Sequence, residues 1–252
     1  MPMENFREKT VLITGAAGGL GRAIALAFGE AGADVSLADV NEEGLHETAA
    51  LVSGRKATAR VSVVDLSSRQ ACFNLVKETV DHFGALDVLC NVAGILGPGH
   101  TTEISESVWN KIVAVNLSAP FWLIQASLPH LLERNGNVVN IASSGAFIGE
   151  AYVVPYTATK AGVVQMTRSL AMEYIKKPVR INAVAPGPMA TSMIDNVQFP
   201  EGVDMELIQR YMGIRPAADP AQVADLVLYL ASDRAANIHG ACLVSDGGHS
   251  VC

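Results

Sequence analysis

Short runs rich in Val, Ile and Ala alternate along the chain with longer stretches in which apolar residues recur every three or four positions. The first pattern predicts strands covered on both faces, and the second predicts amphipathic helices. Strands are expected at about Thr10–Thr14, Asp34–Asp39, Ala59–Val64, Asp87–Asn91, Asn137–Ala142, Arg180–Ala185 and Ala241–Ser245. Helices fall near 19–31, 42–53, 68–83, 105–132, 155–176 and 220–232. This alternation implies βαβ units, hence an α/β fold: a doubly wound parallel sheet of about seven strands with helices on both faces. No repeat, low-complexity tract or linker interrupts it, so residues 1–252 are expected to form a single domain.

One segment breaks the rhythm. From Pro186 to Pro220 the sequence offers Pro-Gly-Pro, scattered methionines and one short helical stretch around Asp204–Met212. Such a long irregular excursion, leaving the carboxyl end of a strand where open α/β sheets bind ligands, is expected to be a substrate lid.

Composition narrows the function classes. Half of the 252 residues are apolar and only 6% aromatic, with 22 Gly and 11 Pro, which suits buried parallel strands and excludes disorder. The net charge is −7, and no basic run exceeds Lys176-Lys177, so a nucleic-acid partner is not expected. The four cysteines lie far apart without a CxxC, and no histidine pair has metal-ligand spacing, so neither a metal nor a disulfide is expected. MPMENFREKT carries no apolar stretch behind its charges, which predicts a cytoplasmic protein. The longest segment without Asp, Glu, Lys or Arg, Ile112–Leu132, holds Asn116, Gln125 and His130. It reads as a core or interface helix, and no membrane partner is expected.

The chemistry begins at the first strand. Val11-Leu12-Ile13 leads into Thr14-Gly15-Ala16-Ala17-Gly18-Gly19-Leu20-Gly21 and then into a helical pattern. Glycines there permit a tight strand-to-helix turn and let a pyrophosphate reach the N–H groups of the helix terminus. The spacing is TGxxxGxG, a dinucleotide turn without the GK[ST] of a triphosphate loop. Asp39 closes the second strand, where a carboxylate accepts hydrogen bonds from both ribose hydroxyls and repels a 2′-phosphate. NAD is therefore expected over NADP, with Arg22 the one cation near the turn that points the other way. These features make the fold Rossmann-type.

Tyr156 and Lys160 share one helix face by their i, i+4 spacing, and Ser143 stands at the carboxyl end of the fifth strand. Removing hydride from a secondary alcohol requires a base for the hydroxyl proton, and reducing a ketone requires an acid at the same place. A tyrosine can serve as either when its pKa falls from about 10 toward working pH, which takes roughly 4 kcal/mol of preferential stabilisation of the phenolate. A neighbouring ammonium such as Lys160 is a suitable source.

Together, TGAAGGLG, Asn91-Val92-Ala93-Gly94, Asn116, Asn140-Ile141-Ala142-Ser143, the Tyr156–Lys160 pair and Pro186-Gly187 resemble the short-chain dehydrogenase/reductase family over essentially the whole chain. The family's usual NNAG reads NVAG here. The resemblance implies that Asn116, Ser143, Tyr156 and Lys160 are catalytic. It implies dinucleotide contacts from Gly15, Gly19, Leu20, Gly21, Asp39, Asp65 and Leu66, and from Asn91, Ala93 and Gly94. Tyr156, Lys160, Pro186 and Gly187 would also touch the cofactor, with Thr191 near its carboxamide. It further implies a homotetramer, with a dimer as the fallback. The expected activity is hydride exchange between NAD(H) and a secondary alcohol or ketone. The alternatives are an NADPH-dependent reductase of 3-oxoacyl thioesters and a catalytically silent nucleotide-binding regulator.

The expected substrate pocket comprises Ile95, Leu96, Ala146, Phe147 and Tyr152 with Met189, Met193, Ile194, Phe199, Tyr211 and Met212. Without Arg or Lys among them, they suit a neutral, fairly apolar small molecule. Pro120 has no N–H to give the carbonyl of Asn116 four residues back, so that carbonyl is expected to lack its helical donor.

Overall fold

The computed structural model describes residues 5–54, 57–191 and 197–251. Seven parallel strands, β1 (Thr10–Thr14), β2 (Asp34–Asp39), β3 (Ala59–Val63), β4 (Val88–Asn91), β5 (Asn137–Ile141), β6 (Arg180–Pro186) and β7 (Cys242–Ser245), form one sheet in the order β3-β2-β1-β4-β5-β6-β7. The order reverses between β1 and β4, which opens a crevice above their carboxyl ends. The helices are α1 (Gly19–Glu30), α2 (Glu42–Ser53), α3 (Arg69–Phe83), α4 (Glu106–Val113), α5 (Ala119–Glu133), α6 (Val154–Glu173), α7 (Met205–Gln209) and α8 (Pro220–Ala231).

Alternate residues of each strand serve opposite faces. Val11 and Ile13 of β1 pack with Ile24 and Phe28 of α1 and with Val227 and Leu230 of α8. Leu12, between them, faces the other layer with Leu75 of α3, Leu123 of α5 and Leu170 of α6. Apolar side chains cover both faces, which is why all five residues of β1 are buried.

The helix expected over 105–132 is instead two helices, α4 and α5, joined by a π-helical turn at Ala114–Ser118. Ala119 donates five residues back to the carbonyl of Ala114, and Pro120 follows at the start of α5 without an N–H. The ladder is widened where proline removes a donor, and Asn116 sits inside that turn. Glu106–Glu133 is long and apolar enough to cross a membrane, but half of its most apolar window is buried within the fold, as befits a core helix. The helical stretch expected around Asp204–Met212 is the shorter α7. The base of the excursion after β6 is pinned where Ala190 donates to the carbonyl of Ala218 at 3.0 Å and Ala218 donates to that of Pro188 at 2.9 Å.

Candidate active site

The crevice begins as a glycine-shaped cradle. Gly15 adopts φ +69°, and a Cβ there would lie 2.9 Å from the backbone of Ala93, so the turn after β1 touches the chain leaving β4. Thr14 fastens the two, its Oγ1 accepting from the N–H groups of Val92 at 3.0 Å and Ala93 at 3.1 Å. A cavity of about 360 Å³ opens above. Gly15, Gly19, Leu20 and Gly21 line its floor, where the first turn of α1 offers unpaired N–H groups to an anion. Asp39 closes one end, Ala93 and Gly94 form a wall, and Pro186, Gly187 and Thr191 form the opposite wall.

Asp39 is fixed in place. One carboxylate oxygen accepts from Ala17 at 3.2 Å, and the other accepts from Val40 at 2.7 Å and Asn41 at 3.1 Å. Arg22 is engaged elsewhere: it donates to the Ala17 carbonyl at 2.6 Å and to Thr48 Oγ1 at 2.9 Å, and pairs with Glu47 at 2.7 Å. These bonds tie α1 to α2 and engage the one cation near the turn.

At the other end of the crevice, Ser143, Tyr156 and Lys160 line the same cavity. Ser143 is extended at the end of β5, its Oγ accepting from Gly145 N–H at 3.1 Å. Burial pushes the Tyr156 phenol up to about 12, opposed by a hydrogen bond with Ser143 and reinforced by the charge of Glu150. The downward shift that the sequence suggested is absent because the Lys160 ammonium, buried and held down at about 8, donates to the Ile141 carbonyl at 2.8 Å. It stands 5.6 Å from the centre of the Tyr156 ring.

Four expected contact residues do not line the crevice. Asn116 is 1% exposed and works as a brace: its Oδ1 accepts from Ile95 N–H at 2.9 Å, while its Nδ2 donates to the Ile95 carbonyl at 2.9 Å and to Thr159 Oγ1 at 3.3 Å. A Cβ on Gly94 would come 3.4 Å from Lys160 Nζ and 3.6 Å from Asn116 Oδ1, so both polar groups lie against this glycine at ordinary contact distance. Asp65 instead pairs with Lys111 at 2.7 Å, which holds its carboxyl at about 2. Leu66 is buried, its carbonyl facing the Cys72 thiol at 3.4 Å. The Asn91 amide donates across the sheet to Asn140 Oδ1 at 2.8 Å.

The comparisons agree with this geometry. A family profile described as enoyl-(acyl carrier protein) reductase matches residues 15–250. A 2,5-dichloro-2,5-cyclohexadiene-1,4-diol dehydrogenase of Sphingobium indicum is 39% identical over 96% of this chain and 96% of its own. The chain belongs to the short-chain dehydrogenase/reductase family. Levodione reductase of Leifsonia aquatica, 34% identical over 99% of this chain and 97% of its own, is a further similar protein. Among solved structures, an NAD-bound short-chain dehydrogenase of Mycobacterium paratuberculosis superposes with a TM-score of 0.90 at 26% identity, covering 98% of this chain and all of the other. Like its relatives, this short-chain dehydrogenase/reductase is an oxidoreductase acting on CH–OH groups with a nicotinamide cofactor.

A second cavity of about 280 Å³ shares Ser143, Tyr156 and Thr191 with the first and extends away from it under α7. Leu96, Met189, Phe199, Tyr211 and Met212 line it as expected. Ile95 is taken by Asn116, and Ala146 and Phe147 do not reach it. Tyr152 serves as a strut, its hydroxyl accepting from Asp204 N–H at 2.9 Å, while the Tyr211 hydroxyl donates to the Ala151 carbonyl at 2.9 Å. Met193 and Ile194 lie outside the described residues. Sequence reasoning missed Glu150 and His249, which also line this cavity. Glu150 left one trace, as the only charged residue between Arg134 and Lys160.

Proposed function

We propose that this short-chain dehydrogenase/reductase transfers hydride between NAD(H) and a neutral secondary alcohol or its ketone. The observation that carries the choice of NAD is Asp39, a carboxylate fixed by three backbone N–H groups at the end of the cradle, with the nearby guanidinium of Arg22 committed to α2. A 2′-phosphate there would meet a negative charge, since the one Lys or Arg among the lining residues, Lys160, stands at the other end beside Tyr156, which also weighs against the NADPH-dependent thioester reductase.

Gly15, Gly19, Leu20 and Gly21 would hold the pyrophosphate through backbone N–H groups, and Asp39 the adenosine ribose. Ala93, Gly94, Pro186, Gly187 and Thr191 would flank the nicotinamide half, and Asp65, Leu66 and Asn91 shape the crevice from behind their structural partners. The bound dinucleotide supplies the hydride acceptor or donor. Tyr156 takes the alcohol proton, or gives it back to a ketone. Ser143 donates to the substrate oxygen, and Lys160 stabilises the phenolate when its ammonium swings from Ile141 toward the cofactor side. Asn116 positions Lys160 through its bond to the neighbouring Thr159. The excursion over 186–220 acts as the lid of a single catalytic domain. Exposed Trp109, Phe121 and Met172 on α4, α5 and α6 support a homotetramer, in keeping with a cytoplasmic enzyme.

The double variant Asp39→Ala with Val40→Arg tests the cofactor assignment, since Val40 is two-thirds exposed and accommodates a long side chain. Removing a repulsion and adding a charged partner should lower the NAD-to-NADP ratio of kcat/KM by roughly 10- to 100-fold. A wild-type enzyme that prefers NADP, or a ratio that the variant leaves unmoved, would contradict it.

A further inference from the structure

Glu150 lies in the loop between the 3-10 turn Ser144–Ala146 and α6, and its side chain folds back over Gly145. A Cβ on Gly145 would sit 2.7 and 2.9 Å from its two carboxylate oxygens, so the acid packs directly against the bare face of this glycine. It lines the second cavity together with Ser143 and Tyr156, and its charge is felt by both the Tyr156 and Tyr211 phenols. The remaining wall is apolar at Leu96, Val153, Met189, Phe199 and Met212, with no Arg or Lys.

Among the described residues nothing donates to the Glu150 carboxylate, and burial alone pushes its pKa up to about 7. A half-buried carboxyl without a partner is costly, and it recovers that cost when a ligand supplies a hydrogen bond. His249 faces the same cavity: its Nδ1 is engaged with Ser144 Oγ at 3.1 Å, leaving Nε2 buried and unpartnered among the described residues. One pair of polar groups, Ser143 and Tyr156, is enough for the reacting oxygen of an alcohol. Glu150 is a further polar group in the pocket and the one carboxylate among its lining residues.

We propose that Glu150 anchors a second hydroxyl of the substrate, so that the pocket takes a diol or the corresponding hydroxyketone. The inference rests on the reading of the protein as an alcohol dehydrogenase and names the substrate class of the same site. A hydroxyl suits this carboxyl in either state, donating to the ionised form and accepting from the protonated one. Glu150 is thus a specificity residue, acting on the end of the substrate that does not react.

The experiment compares kcat/KM with NAD for trans-1,2-cyclohexanediol, cyclohexanol and trans-2-aminocyclohexanol, in the wild type and in Glu150→Gln and Glu150→Leu. The wild type should prefer the diol to cyclohexanol. Glu150→Leu should lower the diol-to-cyclohexanol ratio by at least about tenfold, the worth of one hydrogen bond to a charged group, and Glu150→Gln should retain part of it. A purely structural role would lower both substrates together and leave the ratio unmoved, which would overturn the inference. So would a wild-type preference for the amino alcohol, which would make Glu150 a counter-ion. Oxidation of cyclohexanol with no diol preference defeats this inference alone, whereas failure to oxidise any of the three defeats the alcohol-dehydrogenase reading as well.

Discussion

Tyr156→Phe should lower kcat/KM for alcohol oxidation by about 10³-fold, the usual worth of a positioned general acid–base group, while the protein stays folded with little change in Tm. The phenol is the one acid–base group that shares both cavities with Ser143 and also lies beside an ammonium. Lys160→Met should cost comparable activity, yet its stability should move the other way. In the folded chain the Lys160 pKa is about 8 against an ordinary 10.5, so the unfolded chain binds that proton more tightly. The resulting destabilisation is fully present below about pH 8 and fades as the pH rises toward 10.5. It is on the order of 3 kcal/mol, from which about 1 kcal/mol is lost with the bond to the Ile141 carbonyl. Without cofactor, Lys160→Met should therefore melt several degrees above the wild type at pH 7, with the gap closing in alkali. Thermal denaturation across that range checks it. A Lys160→Met variant that melts lower at pH 7 would contradict the cost assigned to the buried ammonium, and a Tyr156→Phe enzyme that retains turnover would remove Tyr156 from the proposed chemistry.

Gly21→Ala should be the most damaging single methyl in the molecule. The added Cβ would lie 2.0 Å from the Gly15 carbonyl oxygen and 2.6 Å from its carbon, both rigid backbone at the mouth of β1. The turn and the start of α1 must separate to admit it, at a cost of about 3 kcal/mol or more. That movement also spoils the row of N–H groups that the cradle presents, so NADH affinity should fall at least about tenfold. Gly18→Ala is the folding control, because its Cβ would meet nothing within 4 Å and its φ of −171° is open to any residue. Equal Tm and NADH affinity for Gly21→Ala and the wild type would refute the close-packed cradle.

The strands were legible because each is a short aliphatic run, buried on both faces in the middle of the sheet and partly exposed only in the edge strands β3 and β7, and their observed ends fall within a residue or two of those expected. The turn after β1 was legible for a different reason, since the positive φ of Gly15 and the tight approach at Gly21 exclude other residues. Apolar periodicity could not see the π-helical turn at Ala114–Ser118, because a one-residue widening leaves the same side chains inside. Asp65, Leu66 and Asn91 were placed by resemblance; the Asp65 and Asn91 side chains are occupied by the distant Lys111 and Asn140, and Leu66 is buried with its carbonyl facing Cys72. Glu150 was illegible because its direction is set by the loop ending at Tyr152, whose φ of +66° and bond to Asp204 no local pattern announces.

The central claim, hydride transfer from a carbinol carbon to NAD, is tested most directly by isotope tracing. Cyclohexanol and trans-1,2-cyclohexanediol deuterated at the carbinol carbon are incubated with the purified protein and NAD, and the reduced cofactor is weighed by mass spectrometry. The account predicts reduced cofactor carrying one deuterium from the alcohol, formed together with the ketone. Reduced cofactor without the label, or no reduction with either alcohol, would contradict it.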